Sequence, residues 1–263
     1  MRRSASYEVA GVDGCKAGWC VAIALNPGKP NRLQLPDAVS LESVSVKSSF
    51  ADVLSATNDC KMVCVDMPIG LGEKQMPREC DRQARRLLGA RRASTVFFPP
   101  IRQCLSARQY RQANSICLKS TGKGLSKQGF ALLEKIREVD NLMTPRLQKR
   151  VREIHPEISF RVLNGNSTIA ASKKTVPGQA VRRRLLQAVF GDIDNVLADA
   201  PAQGLAMDDA LDAIVAAWTA WQVTAARAST LPARPPRGAE GLKMEIVLPQ
   251  VMPQTLESSD PER

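Results

Sequence analysis

Ala10-Gly-Val-Asp-Gly-Cys-Lys-Ala-Gly-Trp-Cys-Val-Ala-Ile-Ala-Leu25 is two apolar runs broken by Asp13-Gly14-Cys15-Lys16-Ala17-Gly18. The break has two readings. Asp-Gly is the strongest short-range hairpin signal, and Gly14 and Gly18 tolerate positive φ. A carboxylate at the end of a central strand, beside open backbone, is also a common place to hold a metal ion. The rest of the chain has to decide between them.

Working outward, Tyr7 to Asp13, Trp19 to Asn26 and Arg32 to Val46 read as extended segments, so the chain opens as a three-stranded meander. Ser49 caps a short helix running to about Thr57. Lys61-Met-Val-Cys-Val-Asp66 is then a compact apolar run without alternation, as expected of a strand buried on both faces. It too ends on an aspartate, and Pro68 stops the pairing. Helical spacing follows over Pro77 to Gly89, Arg102 to Lys119 and Ser126 to Leu142. Val151 to Ile154 reads as a further strand, leading through His155-Pro156-Glu157 into a helix. Pro177 to Phe190 and roughly Leu205 to Ala228 are the last helices. This predicts an α/β fold: a mixed sheet flanked by helices, over residues 1–228, with a large helical insertion at about 71–150. Residues 229–263 form a Pro-rich C-terminal extension with one strand-like run, Leu242 to Leu248, and a disordered-looking acidic end.

Composition narrows the chemistry. The chain has 263 residues, with 37 Lys and Arg against 26 Asp and Glu, a formal charge of +11 that favours anionic partners such as nucleic acid. A solvated basic surface would give the same balance. Seven cysteines without paired spacing argue against a disulfide framework or a thiolate zinc site and fit a reducing, cytoplasmic setting. No secretory or membrane-spanning segment is evident. One histidine, His155, excludes a multi-histidine metal site. Any chemistry rests mainly on carboxylates.

In Met207-Asp-Asp-Ala-Leu-Asp-Ala-Ile-Val-Ala-Ala-Trp218, the residues Leu211, Ile214, Val215 and Trp218 form one apolar helical face. Asp209 and Asp212 are neighbours on the adjoining face with Ala213 and Ala216, small residues that let a helix approach a sheet. Like charges at this spacing repel, and a divalent cation offsets them. Each aspartate also has a plainer reading. Asp13 serves a hairpin, Asp66 a cap or turn before proline, and Asp208 and Asp209 the helix dipole. The combination of two strand-end aspartates with a helical pair is more specific than any member. Oxygen-only ligands of this kind suit Mg2+ or Mn2+.

The order of these aspartates resembles the RNase H-like superfamily, Holliday-junction resolvases in particular. More closely, Gly11-Val-Asp-Gly-Cys15 with Gly18-Trp19, Val65-Asp-Met-Pro-Ile-Gly-Leu71, Cys80-Asp81 with Ala84-Arg85, Glu138-Val-Asp140, His155-Pro-Glu157 and Asp209-Ala-Leu-Asp-Ala213 resemble the domain of unknown function 429 family over nearly the whole chain. The resemblance implies a metal-dependent RNase H-like nuclease. It puts Asp13 and Asp66 at the two strand carboxylates and Asp209 and Asp212 at the helical ones. The long insertion departs from a minimal RNase H domain and leaves the substrate open.

Glu157 and His155 follow a strand and stand within reach of such a cluster, as general base, ligand, orienter or substrate contact; a structural turn explains them equally. Arg82, Arg85 and Arg86 share a helical face suited to phosphate contact, or to solvent with local pairing to Glu79 and Asp81. Two other functions fit parts of the pattern: a non-catalytic nucleic-acid-binding or scaffold protein, and a small-molecule phosphotransferase on the related actin-like fold. The sequence does not fix an oligomeric state.

Overall fold

The computed structural model describes residues 6–26, 39–74 and 76–250. Strands β1 (Tyr7–Cys15), β2 (Gly18–Asn26) and β3 (Ser40–Lys47) form an antiparallel meander. Strands β4 (Met62–Asp66) and β5 (Val151–Glu153) extend it in parallel from the free edge of β1, giving the order β3-β2-β1-β4-β5. This is an α/β fold built on a mixed five-stranded sheet. The early part of the expected third strand, residues 32–38, lies outside the described residues, as does the tail after residue 250.

The sheet is buried on both faces, and alternation along β1 divides them. Val9 points into a core shared with α6 (Pro156–Leu163), α7 (Val176–Phe190), α8 (Asp194–Leu197) and α9 (Met207–Thr224). Ala10 and Val12 point into the opposite core, which holds Phe50 and Val53 of α1 (Phe50–Ala56) and Ile136 and Val139 of α5 (Leu133–Leu142). Gly11 lies on the α9 side. A Cβ there would stand 2.0 Å from the Ala213 carbonyl oxygen and 2.1 Å from the Ala217 nitrogen, so the backbone of α9 lies directly on the strand. Small residues on both elements draw the face bearing Asp212 down to the sheet.

The insertion is helical, as its spacing predicts, with α2 (Glu79–Leu88), α3 (Tyr110–Thr121), α4 (Lys127–Ala131) and α5. The expected helix over Arg102 to Lys119 is broken, however, into a 3-10 turn at Arg102–Ser106 and α3. Arg137 on α5 donates to the carbonyls of Leu105 and Ala107 at 2.8 and 3.0 Å. These are acceptors that an uninterrupted helix would have used. Glu138 ties the insertion to the sheet, accepting from Trp19 Nε1 at 3.0 Å and from the Phe50 amide at 2.8 Å.

After α9 the chain folds back. β6 (Ala228–Leu231) pairs with β7 (Ile246–Pro249), and Val247 bridges in parallel to Ile154 just past β5. Leu242, Ile246 and Val247 are buried, and Glu245 pairs with Arg152 at 2.7 Å. The expected helix to Ala228 ends four residues early, at Thr224, with Ala226 in the left-handed region at φ 57°. That early stop frees Ala228–Leu231 to become a strand. Among the described residues no helix is long and apolar enough to cross a membrane.

Candidate active site

β1 does not end at Asp13. Asp13 pairs with Cys20, Gly14 with Trp19 and Cys15 with Gly18, which leaves Lys16 and Ala17 as the turn and Gly18 at φ 134°. The carboxylate is therefore a strand residue and does no work in the hairpin. On its other side Asp13 stands in register with Asp66, the last residue of β4. Two adjacent parallel strands thus present aspartates side by side at their carboxyl ends. The close packing of α9 brings Asp212 and, nearly one turn nearer its start, Asp209 to the same cavity.

These four carboxylates line one wall of a cavity of about 350 Å3. His155 and Glu157, at the β5 to α6 junction, line it too, with Lys173 and Lys174 from the loop before α7. The insertion contributes Arg92, Thr95, Phe97, Gln128 and Leu132 to its lining.

The electrostatics follow from placing like charges out of bulk water. Burial first, then the Asp66 and Asp212 charges, hold the Asp13 carboxyl well above its ordinary range. Burial and Asp212 push Asp66 up to about 8, although its side chain is partly open to the cavity. Burial lifts Asp212 only to about 6, because the Lys173 ammonium beside it favours the ionised form. Asp209 is raised by burial and by Asp208. Lys173 bonds the Asp212 carboxylate directly, and although burial pulls it down, Asp212 and Asp13 together hold it well above its ordinary value. One of the four carboxylates is neutralised by a side-chain cation.

Among the described residues no three Asp, Glu, His or Cys side chains are gathered closely enough to hold a metal ion. The chemistry of the four side chains nevertheless fits a hard divalent cation: each offers carboxylate oxygens, they repel one another, and Asp212 already pairs with the Lys173 ammonium.

Glu157 and His155 reach the cavity in different states. Glu157 accepts from Arg182 Nη2 at 2.6 Å, and Arg182 is fully buried, its guanidinium 5.3 Å from the Phe160 ring. That pair fixes Glu157. His155 Nε2 lies 3.4 Å from the Thr95 carbonyl oxygen, while its buried Nδ1 has no partner. Burial lowers its pKa and favours the neutral ring.

Arg82, Arg85 and Arg86 lie elsewhere. Arg82 pairs with Glu79 at 2.7 Å, Arg85 donates to the Val96 carbonyl at 2.8 Å and covers the Phe98 ring, and Arg86 is exposed; none of them lines the cavity. The inward arginine of α2 is its cap, Arg78, which bonds Asp81 at 2.7 Å, Glu153 at 2.5 Å and the Gly70 carbonyl at 3.1 Å. Glu153 also accepts from the Ile69 amide at 2.7 Å, so this buried network holds the loop that follows Asp66. Sequence reasoning missed Lys173 as a site component and Glu153 as the buried partner of Arg78. The partners in these two pairs lie 39 and 75 residues apart in the chain, and no local pattern marks them.

Fold and cavity together define an α/β protein with a mixed sheet, in which aspartates from two central strands and a crossing helix line one pocket. Residues 11–237 match the family described as Protein of unknown function (DUF429), and the chain belongs to that family. No curated protein matches it in sequence. Among solved structures it is similar to Thermus thermophilus RuvC, with 14% identity and a TM-score of 0.31, over 80% of this chain and 92% of that one.

Proposed function

We propose that this protein hydrolyses phosphodiester bonds in nucleic acid, using Mg2+ or Mn2+ held by Asp13, Asp66, Asp209 and Asp212. The observation that carries the reading is the in-register meeting of Asp13 and Asp66 with Asp212 in the lining of one cavity. Four carboxylates that crowd one another, at a cost in their own ionisation, call for a function that uses the crowding. A divalent ion would supply a lowered pKa for a bound water and a clamp on the leaving oxygen.

The chain's own residues supply the rest. Lys174 is exposed at the cavity and carries charge suited to a phosphate, and Lys173 offsets the carboxylates that would repel one. His155, held neutral by burial, lines the same cavity, and its buried Nδ1 has no hydrogen-bond partner. Glu157, bound to Arg182, acts as a positioning residue. The net charge of +11 favours a polyanionic substrate.

The test is Mn2+-dependent hydrolysis across a panel of DNA, RNA, branched and small phosphodiester substrates, run beside Asp66→Asn. Turnover of at least one substrate by the wild type and a loss of about 10²-fold or more in the variant are expected. Equal turnover by both proteins would assign the activity to something other than this cluster.

A further inference from the structure

The insertion does more than decorate the sheet, because it lines the same cavity as the aspartates. Phe97 and Leu132 give that lining an apolar surface, and Gln128 gives it an amide that both donates and accepts. Phe97 packs in part against the core on the Ala10 and Val12 side of the sheet and is only partly buried, and among the described residues no other aromatic ring or cation stacks on it. Its near neighbour Phe98, by contrast, is covered by Arg85 at 3.6 Å.

This lining is also anchored. Arg92 donates through Nε to the Ile169 carbonyl at 3.0 Å and through Nη2 to the Ala170 carbonyl at 3.1 Å. That clamp joins the insertion to the loop carrying Lys173 and Lys174, so the cations and the aromatic ring line one tied-together space. About 350 Å3 is at the small-ligand end of binding pockets, which run from roughly 300 to 1,000 Å3.

On the reading that this site hydrolyses nucleic acid, we infer that the cavity receives one unpaired nucleotide of a single strand, its base against Phe97 and its phosphate toward Lys173 and Lys174. A base inside a duplex is stacked on both sides and reaches an enclosed pocket only if it is extruded, which costs a few kcal/mol. A single strand offers the same base without that cost. Stacking on one ring accepts any base, so the site discriminates by strandedness and not by sequence.

The experiment measures equilibrium binding by fluorescence anisotropy in Ca2+, at one fixed ionic strength. The probes are a labelled 12-nucleotide single strand in deoxy and ribo forms and the blunt duplex of the same sequence. The single strand of at least one form should bind about tenfold or more tightly than the duplex. Phe97→Ala should remove about tenfold of its affinity and leave the duplex unchanged, while Phe97→Tyr keeps it. If Phe97→Ala does not fold, Phe97→Leu takes its place, retaining apolar volume without the π face. Equal binding of duplex and single strand, no binding of either single strand, or indifference to loss of the ring overturns the inference. Mn2+-dependent cleavage is scored separately. A protein that cuts duplex as readily as single strand keeps the hydrolase reading and loses this one, whereas one that prefers single strands but cuts nothing loses the hydrolase reading.

Discussion

Asp66 shows how a residue's neighbours set its behaviour. With burial and Asp212 holding its carboxyl up to about 8, the folded protein binds that proton more tightly than the unfolded chain does. Its contribution to stability is complete below the ordinary carboxylate range and is lost as pH rises through about 8. In chelator, melting temperatures of wild type and Asp66→Asn should therefore diverge in the variant's favour between pH 5 and pH 8.5, by several degrees at the alkaline end. Parallel curves would mean that Asp66 feels no such crowding. Gly11 gives a steric counterpart. Gly11→Ala puts a methyl group on the backbone of α9 and should cost at least about 1–3 kcal/mol, seen as a drop of roughly 5 °C or more in melting temperature or as insoluble protein. An unchanged melting temperature would contradict the close approach. Asp66 and Asp212 were legible because a strand end and a helical spacing place them, and Asp13 was legible as a strand residue although β1 runs two residues past it. Lys173 was not, because its partner is chosen by the fold alone.

Elements divide in the same way. The meander, β4, β5 and α9 follow from apolar runs and from small residues at helical spacing. The break before α3 does not, since Arg137, some thirty residues away, captures the carbonyls involved. The buried Arg78, Asp81 and Glu153 network, which joins α2 to β5, is of this long-range kind. Arg78→Met would leave two buried carboxylates without their cation, at a cost of about 3–5 kcal/mol. Burial already holds Glu153 up at about 7 with Arg78 present, and losing the guanidinium raises it further. The deficit should then be larger at pH 8 than at pH 6 in denaturant titrations. A loss below about 1 kcal/mol, or one that is flat with pH, would show that the network does not hold α2 to the sheet.

Across the whole molecule, charge and cavity act together. The excess of basic residues was visible in the composition, but which cations face the site was not: the stripe of Arg82, Arg85 and Arg86 lies off the cavity, whereas Lys174 lines it. Binding of a single-stranded oligonucleotide should weaken steeply with salt. Lys174→Ala should lower the slope of log K against log salt by about 0.7, and Arg82→Ala, which removes a residue paired to Glu79, should leave it unchanged. The opposite ranking would move the binding surface to α2.

The central claim, that the aspartates of β1, β4 and α9 share a divalent cation, is tested most directly by the Mn2+-induced shift in melting temperature of the wild type and of Asp66→Asn. An ion bound at a hundred times its dissociation constant stabilises the folded chain by about 2.7 kcal/mol, several degrees at this size. The account predicts that shift in the wild type and its loss in the variant. An identical Mn2+-induced shift in both proteins would contradict it.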